Sequence, residues 1–451
     1  MEKNLTSGSV LKNIIYFSIP YFLSYFLQTL YGMADLFIIG QFNGVESITA
    51  VSVGSQVMHM LTVMIVGLAM GATVMIGQAV GAKQMREAEA TIGNTITLFM
   101  LVSVVITAML LVLVRPIVGV MSTPAEAVSG TVAYLTICFI GIPFITAYNI
   151  ISSIFRGLGD SKSPMYFIAV ACVANIVLDY VFIGALHLGA AGAALGTTLS
   201  QTISVVVSVT VIVKRNMGFT IRKTDLRPRR DILGRVLKIG IPVALQDGFI
   251  QIAFIVITII ANRRGLSDAA AVGIVEKIIG MLFLVPSSML STVSALSAQN
   301  IGAGKHDRAA ATLRYAIMIA VGFGIIATIA IQFGAESVVG IFTKEKDPEV
   351  IRLGSQYLRG YIWDCIFAGV HFCFSGYFCA YGKSGISFLH NLLSILLVRV
   401  PGAYFASMLF ADTLLPMGLA APGGSLLSVI ICVIAYRAQL KSRNRLQGQV
   451  R

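Results

Sequence analysis

Long apolar runs recur along the whole chain, and they restrict it to one broad class of fold. Each run covers about 20 residues or more, the length that an α-helix needs to cross the hydrocarbon core of a bilayer. The runs are continuous and do not alternate with polar residues, so they predict helices and not the strands of a barrel. We expect twelve spans, at residues 14–39, 47–80, 92–114, 128–154, 164–186, 190–213, 239–262, 269–300, 312–334, 350–381, 387–411 and 417–437.

The two halves of the sequence resemble each other at an offset of 221 to 223 residues. QAVGAKQMREA at 78–88 returns as QNIGAGKHDRA at 299–309, FRGLGDSK aligns with FCAYGKSG, and Pro20 aligns with Pro242. Each half contains six predicted spans, an even number, so both halves enter the membrane from the same side. The sequence therefore predicts an all-α polytopic membrane protein of two parallel six-helix lobes, and such repeats usually enclose a substrate path at their interface.

A basic segment at residues 214–238, called the strap below, joins the halves and carries nine Lys or Arg residues. It separates a first lobe at 1–213 from a second lobe at 239–437, and a basic tail follows at 438–451. With the strap in the cytoplasm, 24 of the 33 Lys and Arg residues lie in inner loops and tails. Six lie outside and three lie within spans: Arg115, Arg263, Arg264, Lys344, Lys346 and Arg352, then Lys277, Arg359 and Arg399.

This asymmetry predicts a protein of the inner or plasma membrane with both termini in the cytoplasm. It also accounts for the net charge of +13, so we expect no nucleic-acid partner. Only 12% of the residues are charged, whereas roughly a quarter are charged in a soluble domain. The first dozen residues are polar and lead directly into a span, so we expect no cleaved signal peptide.

The sequence gives no indication of a cofactor, a metal centre or an enzyme. The six cysteines lie mostly within apolar spans without a CxxC pair, and we interpret them as small core residues. GYFCAYGKS at 376–384 resembles a phosphate loop, but it has five residues between its glycines instead of four and follows a membrane helix. Without a nucleotide-binding domain, transport must draw on an ion gradient.

Buried carboxylates in a membrane cost free energy, so each one needs a reason. In the first half, Asp35 and Asp179 lie near the outer ends of spans one and five, and Asn175 lies one turn before Asp179. Thr197 lies in span six, which runs the opposite way, so all four side chains reach a similar depth. We predict a proton site or an oxygen cage for Na⁺, because desolvation and like charge favour protonation of at least one carboxyl. The alternative is that each aspartate only bonds to a neighbouring helix.

The second half does not repeat this cluster but carries other charges within its spans. Asp247 and Asp364 are expected near mid-membrane with Arg399, and Glu276 lies in the outer part of span eight. Because Arg399 could neutralise either aspartate, we favour a structural ion pair. The alternative places Asp247, Asp364, Arg399 and Glu276 in the substrate cavity, with Glu276 recognising a substrate cation.

Pro20 lies inside span one, fifteen residues before Asp35. A proline within a helix lacks an N–H donor and weakens the helix locally, so Pro20 is a predicted bending point. Its counterpart Pro242 is interpreted as a structural kink alone. His59 and His371 each stand alone on apolar helices, and we interpret them as core or cavity residues and not as metal ligands.

Taken together, these features resemble the multidrug and toxic compound extrusion (MATE) family over essentially the whole chain. The resemblance rests on the six-plus-six spans, the strap, the paired GQAVGAK and AQNIGAGKHDRA motifs, YGMADLFIIG, FRGLGDSKSP, and NIVLDYVFI followed by LGAAGAALGTTLSQ. It implies an antiporter that exports cationic or amphipathic compounds in exchange for H⁺ or Na⁺ by alternating access between two lobes. It places the family's cation site on four residues: Asp35, Asn175, Asp179 and Thr197.

The resemblance also links Pro20 to bending of span one and leaves Thr198 as an alternative to Thr197. One branch of the family uses acids on helices seven and ten as well. Asp247 and Asp364 lie on those helices but about a turn out of register, so that role is not transferred to them.

The expected function is therefore secondary active multidrug efflux by a monomer in the bilayer, with H⁺ or Na⁺ as the coupling ion and no other cofactor. One alternative is a lipid-linked saccharide flippase of the same superfamily, which would line its cavity with several basic residues. Only Arg359, Arg399 and Lys277 qualify for that role. A remote alternative is an intramembrane enzyme, but neither an HExxH motif nor a GxSxG serine is present.

Overall fold

The structure is a computed structural model that describes residues 5–214, 220–343 and 347–449. Part of the predicted strap (215–219), the predicted outer residues Lys344 and Lys346, and the last two residues of the predicted tail lie outside these ranges. The described first half contains the helices α1 Val10–Phe42, α2 Val45–Gly81, α3 Met85–Val120, α4 Ala125–Ile140, α5 Ile142–Leu158, α6 Lys162–Asp179 and α7 Gly189–Lys214.

The described second half continues the helical series with similar lengths. It contains α8 Arg230–Arg264, α9 Leu266–Leu282, α10 Leu284–Gly302, α11 His306–Ile341, α12 Pro348–Tyr361, α13 Asp364–Ala380, α14 Ser384–Ser394, α15 Val400–Leu409 and α16 Leu415–Gln449. Two short π-helical turns interrupt the series, Tyr180–Ala185 after α6 and Ile395–Arg399 between α14 and α15.

The described helices are numerous and apolar enough for the predicted polytopic fold. Ten helical stretches could each cross a membrane, and two bent helix pairs raise the number to twelve. This agrees with the twelve spans expected from the sequence, and the all-α membrane class is confirmed. The helices extend several residues beyond the apolar runs, because helical hydrogen bonding continues into polar residues at their ends, which the length of an apolar run does not include.

Spans four and ten bend sharply, which the sequence did not predict. The angle is 48° between α4 and α5 and 41° between α12 and α13. At the first bend, a Cβ on Gly141 would lie 2.7 Å from Cγ2 of Thr198 on α7. Only glycine lets α7 pack this closely against the junction.

The chain forms two compact units, and the boundary between them falls within α8 and again within α10. The first unit consists mainly of Ile15–Ala244 and Ala298–Lys305, and the second mainly of Leu245–Ser297 and His306–Arg451. The described part of the strap and the first turns of α8 therefore belong to the first unit.

The first unit is built around helices α2, α4 and α5. One of its cores includes Ile38, Val51, Leu135, Phe139 and Ile142, each no more than 2% exposed. Burial of such side chains supplies the van der Waals contacts that hold helices together where lipid is as apolar as the core. The six cysteines, all within the described residues, are buried and unpaired, as predicted.

Two glycines at equivalent positions of the repeat allow a close helix crossing in the first unit. A Cβ on Gly81 would overlap the backbone oxygen of Gln299, and a Cβ on Gly302 would overlap the backbone oxygen of Gln78. Gln299 also donates from Nε2 to the carbonyl of Gly157 at 2.9 Å. Packing therefore explains why the Gln–Gly motif is repeated. The glycine of each copy lets the backbone at the glutamine of the other copy approach closely.

The second unit has its own core, formed by α8, α9, α11, α12 and α16. Ile257, Val272, Ile331, Tyr357 and Leu358 are among its buried members. Here too the helices approach at glycines, because a Cβ on Gly376 would overlap the carbonyl of Leu290 and one on Gly418 would overlap the carbonyl of Tyr357. The first and second units therefore each have a buried apolar core of their own.

Candidate functional site

The four predicted coupling residues of the first unit meet in one buried cluster. Oδ2 of Asp35 on α1 accepts a hydrogen bond of 3.1 Å from the hydroxyl of Thr197 on α7. The side chains of Asn175 and Asp179 on α6 lie beside the same carboxyl. Three helices therefore bring together residues that are as much as 162 positions apart in the chain.

Asp179 owes its position to the end of α6 and to a small neighbour on α7. It is the last residue of α6 and immediately precedes the π-helical turn Tyr180–Ala185. Such turns often adjoin functional sites, because they change the direction of successive side chains. A Cβ on Gly196 would overlap Oδ1 of Asp179 and lie 3.6 Å from Nδ2 of Asn175. Gly196 therefore makes room for the carboxylate between α6 and α7.

The cluster is almost completely buried and lacks a positive charge. Asn175 and Asp179 are 0% exposed and Asp35 is 4% exposed. Oδ1 of Asp35, both oxygens of Asp179 and both side-chain polar atoms of Asn175 make no hydrogen bond to the described residues. No described Lys, Arg or His forms an ion pair with either aspartate.

This arrangement can hold a proton or a monovalent cation. Two buried carboxylates side by side repel each other, and a shared proton or a cation between them relieves that repulsion. The oxygens available to Na⁺ are those of the two carboxylates, the Asn175 amide and the Thr197 hydroxyl. Elsewhere in the described chain, no three His, Cys, Asp or Glu side chains are placed to hold a metal ion.

Sequence reasoning missed a set of polar side chains around the cluster. The side chains of Tyr31 and Gln201 lie beside each other, and Tyr31 and Tyr134 both lie near Asp35. Tyr31 precedes Asp35 by four residues and Gln201 follows Thr197 by four. Residues four apart share a helix face, so this spacing could have predicted both neighbours.

The structure distinguishes Thr197 from its alternative, Thr198. The hydroxyl of Thr198 is directed at the carbonyl of Ile137 on α4, 3.5 Å away. The hydroxyl of Thr197 instead donates to Asp35. Successive residues of a helix point about 100° apart, so only one of the two threonines can face the cluster.

Pro20 lies within α1, and the structure places its carbonyl in a local hydrogen bond. The hydroxyl of Ser24 donates to that carbonyl at 2.8 Å. Beside it, the guanidinium of Arg156 lies 4.0 Å from the centre of the Tyr21 ring. Pro20 and Asp35 thus belong to one continuous helix, and the bend at Pro20 stays a prediction.

In the second unit, Arg399 pairs with Asp364. Its guanidinium lies 3.6 Å from Oδ2 of Asp364, contacts the hydroxyl of Tyr361, and lies 5.2 Å from the centre of the Phe254 ring. Asp364 is 0% exposed and Arg399 is 9% exposed. The buried acid therefore has a cationic partner, in contrast to the two acids of the first unit.

The other two second-half candidates occupy different surroundings. Both carboxylate oxygens of Glu276 lie 3.2 Å from the donating hydroxyl of Thr258, and Glu276 is near enough to Arg399 to interact electrostatically. Asp247 on α8 lies beside Cys379 and forms no ion pair within the described ranges. The structure thus groups Glu276 and Asp364 around Arg399 and leaves Asp247 apart.

His371 has neighbours that the sequence did not reveal. It lines a cavity of about 30 Å³ in the second unit together with Arg399 and Phe254. Its ring lies 5.5 Å, centroid to centroid, from the ring of His390, whose Nε2 is 2.9 Å from the hydroxyl of Ser375. The interpretation of His371 as a cavity residue agrees with this, but the expectation that it stands alone was wrong.

With the two buried clusters defined, the family of the chain follows from a comparison with known proteins. The family model MatE matches the chain twice, over residues 20–181 and 242–405. The chain belongs to the MatE family. The two matches begin 222 residues apart, which confirms the internal repeat and the resemblance found in the motifs.

Two relatives from Bacillus subtilis (strain 168) match this MatE chain over nearly its full length. "Probable multidrug resistance protein YoeA" is 26% identical over 442 residues, 96% of this chain and 95% of that protein. "Probable multidrug resistance protein YpnP" is 29% identical over 399 residues, 88% of each. A solved structure described as the outward-facing conformation of a multidrug resistance MATE family transporter of the MOP superfamily has a TM-score of 0.91 at 24% identity and covers 98% of both chains. That likeness shows the fold.

The MatE match includes most of the first-unit cluster but not all of it. Pro20, Asp35, Asn175 and Asp179 fall within the matched ranges, whereas Thr197 falls between them. The hydrogen bond from Thr197 to Asp35 is therefore what places α7 at the site. The protein is a multi-span member of a transporter family, which is not a class of enzymes.

Proposed function

We propose that this MatE protein is a secondary active multidrug efflux antiporter that exports cationic or amphipathic compounds in exchange for H⁺ or Na⁺. The names of the Bacillus subtilis relatives, which describe probable multidrug resistance proteins, support multidrug efflux. The observation that carries the proposal is the buried pair of Asp35 and Asp179, which has unpartnered oxygens and no cationic neighbour among the described residues.

A pair of this kind can store the energy of an ion gradient. When both acids are charged, their repulsion in a poorly solvated site is unfavourable, and the binding of H⁺ or Na⁺ removes it. Any substrate that binds more weakly to the ion-loaded state must, by reciprocity, weaken binding of the ion. Uptake of the ion on the outside then drives release of the substrate there.

The helix that carries Asp35 also supplies a means of conformational change. Loading of the ion removes the repulsion between α1 and α6, so α1 can pack differently against α6 and α7. Pro20 cannot donate a backbone hydrogen bond, and a change in the direction of α1 should concentrate there. Alternating access then follows from two packings of one helix, biased by a single ion.

The decisive experiment measures drug efflux from everted or reconstituted vesicles in which ΔpH and ΔpNa are imposed separately. Efflux driven by one gradient in the wild-type chain, and lost in Asp35→Asn, supports the proposal. Glu126→Gln is a matched control, because Glu126 is an exposed acid in the first turn of α4. Drug movement that persists in Asp35→Asn and ignores both gradients contradicts secondary antiport.

We further propose that the strap and both termini are cytoplasmic, as the distribution of Lys and Arg predicts. Reporter fusions after Arg230 and after Arg451 should both give a cytoplasmic signal. An external signal at either site would require an odd number of spans in one half and would overturn the parallel-repeat topology.

The saccharide-flippase alternative receives no support from relatives whose names describe multidrug resistance. In the second unit, Arg399 is engaged with Asp364 and Tyr361. Arg399 is therefore not an unpaired cation that is free to bind a phosphate, as a flippase for lipid-linked sugars would require.

A further inference from the structure

The described part of the strap is fastened to the first turns of α3 through its backbone. Nδ2 of Asn94 donates to the carbonyl of Asp225 at 3.0 Å, and Oδ1 of Asn94 accepts from the amide of Arg229 at 2.6 Å. The hydroxyl of Thr97 donates to the carbonyl of Leu226 at 2.8 Å. Asn94 is 0% exposed. A buried amide that binds two backbone groups of another segment fixes that segment in one register.

The acids beneath the strap are engaged in the same attachment. Glu89 accepts from the amide of Thr220 at 2.9 Å and pairs with Arg86. Asp225 accepts from the amide of Arg222 at 2.8 Å and lies 3.6 Å from Arg86. The local carboxylates therefore bind backbone groups and a cation of α3, and they do not neutralise the side chains that the strap exposes.

Four cations between residues 222 and 230 of the strap are exposed and form no ion pair with a described residue. Arg229 and Arg235 are paired with Asp231, at 2.8 and 3.9 Å. By contrast, no ion pair with any described residue is formed by Arg222, Lys223, Arg227 or Arg230, and all four side chains are exposed. Leu226 lies among them and is 40% exposed. We call these five residues the strap face.

The strap face lies where the chain leaves and re-enters the membrane. The strap follows α7 and leads into α8, and both helices are long and apolar enough to span a bilayer. The strap face ends at Arg230, the first residue of α8, so it lies next to the end of a span and close to the depth of the lipid headgroups. A clustered positive charge and one exposed apolar side chain at that depth complement a negatively charged lipid surface.

We propose that the strap face is a binding site for the headgroups of anionic phospholipids. The Lys and Arg distribution alone requires only that positive residues face the cytoplasm, and a loose loop would meet that requirement. The attachment through Asn94 and Thr97 does more, because it holds in place the backbone segment that carries the four cations before the lipid binds. Preorganisation of this kind reduces the entropy that binding must otherwise overcome.

The proposal can be tested by native mass spectrometry of the full-length protein titrated with short-chain phosphatidylglycerol and, separately, phosphatidylcholine. Each Lys or Arg near an anionic surface contributes roughly a fivefold factor in affinity. The variant Arg222→Gln/Lys223→Gln/Arg227→Gln/Arg230→Gln should therefore lose at least about tenfold in its preference for phosphatidylglycerol, even if the four contributions add poorly. Affinity for phosphatidylcholine should stay unchanged.

Two single variants guard against a general effect of charge or of misfolding. Arg227→Gln removes one cation of the strap face. Arg115→Gln removes an exposed cation on α3 that lies about 30 Å along the helix from Asn94. Only Arg227→Gln should weaken phosphatidylglycerol binding, by roughly fivefold. Equal losses in both single variants, or an unchanged preference in the quadruple variant, would overturn the proposal. So would a quadruple variant that loses affinity for an acidic peptide or for RNA but keeps its lipid preference.

Discussion

The two units bury acids in opposite ways. In the first unit, Asp35 and Asp179 lie together with an amide and a hydroxyl but without a described cationic partner. In the second unit, Asp364 lies against Arg399, which also contacts Tyr361. A carboxylate paired with arginine has its charge compensated within the protein, whereas two carboxylates together need a charge from outside.

The difference indicates which unit can respond to an ion gradient. An internally neutral pair gains little from H⁺ or Na⁺, because Arg399 already compensates the charge of Asp364, even though neither Asp364 oxygen makes a hydrogen bond to a described residue. The pair in the first unit changes its net charge when an ion arrives and therefore changes the packing of the helices that carry it. Sequence similarity between the halves conceals this contrast, since the repeat preserves helices and glycines but not the acids.

The comparison predicts its largest effect at the first-unit acids. Asp35→Asn and Asp179→Asn should each reduce gradient-driven efflux to the background of empty vesicles, while expression and thermal stability stay near wild type. Asp364→Asn should retain substantial efflux, because the second-unit pair is not expected to exchange an ion. Equal loss in all three well-folded variants would show that both units share the coupling site.

The next effect concerns stability and the second unit. Arg399→Gln leaves Asp364 buried without its partner and should destabilise the protein by roughly 3–5 kcal/mol, measured as a lower thermal midpoint in detergent. The loss should shrink as the pH falls, because protonation of Asp364 removes the uncompensated charge. Arg352→Gln is the matched control: its pair with Glu349 is exposed and screened by solvent, so its loss should leave the thermal midpoint unchanged. A pH-independent loss in Arg399→Gln would point to packing and not to charge.

A third variant tests the geometry of the first-unit cluster without changing its charge. Gly196→Ala places a methyl group where Oδ1 of Asp179 lies, and overpacking of this kind costs roughly 1–3 kcal/mol. Efflux should fall about tenfold or more, while Gly32→Ala, which has open space around its Cβ position, should be nearly neutral. The two variants can be compared at equal expression in the same vesicle assay. If Gly196→Ala transports normally, Asp179 does not need its present position.

The affinity for drug should depend on pH through the first unit alone. As the pH falls, protons occupy the Asp35–Asp179 pair and weaken drug binding, by at most about tenfold per pH unit for one proton. Asp35→Asn should flatten this dependence, and Asp364→Asn should leave it unchanged. Equilibrium binding of a fluorescent cation between about pH 5 and 8 measures it. If the drug affinity does not change with pH but depends steeply on Na⁺, the coupling ion at these residues is Na⁺ and not H⁺.

The smallest effect is expected at the equivalent prolines. Pro20→Ala should keep drug binding but slow turnover several-fold, because an unbroken backbone ladder resists bending of α1. Pro242→Ala should leave turnover unchanged, since no ion-binding acid pair lies further along α8 in the described structure. Single-turnover efflux separates the two effects from binding. Slower turnover in both variants would show that bending is a property of both repeated helices and not of α1 alone.

Much of the fold and part of the candidate site could be predicted from the sequence alone. The number of spans followed from the lengths of the hydrophobic runs, because a helix needs about 20 residues to cross a bilayer and each run can be judged on its own. The common depth of Asp35, Asn175, Asp179 and Thr197 followed from counting residues along regular helices. Only local geometry entered these inferences, so they did not depend on how the helices pack.

Tertiary structure decided what depends on the rotation and approach of helices. In the structure, Thr197 and not Thr198 contacts Asp35. Arg399 pairs with Asp364 and not with Asp247. Gly196 lies against Asp179. Tertiary structure also bent spans four and ten and fastened the strap to α3 through Asn94. The helical period determines which residues lie on the same face of a helix. Which of these faces contacts a neighbouring helix depends on side-chain packing between helices that are distant in sequence.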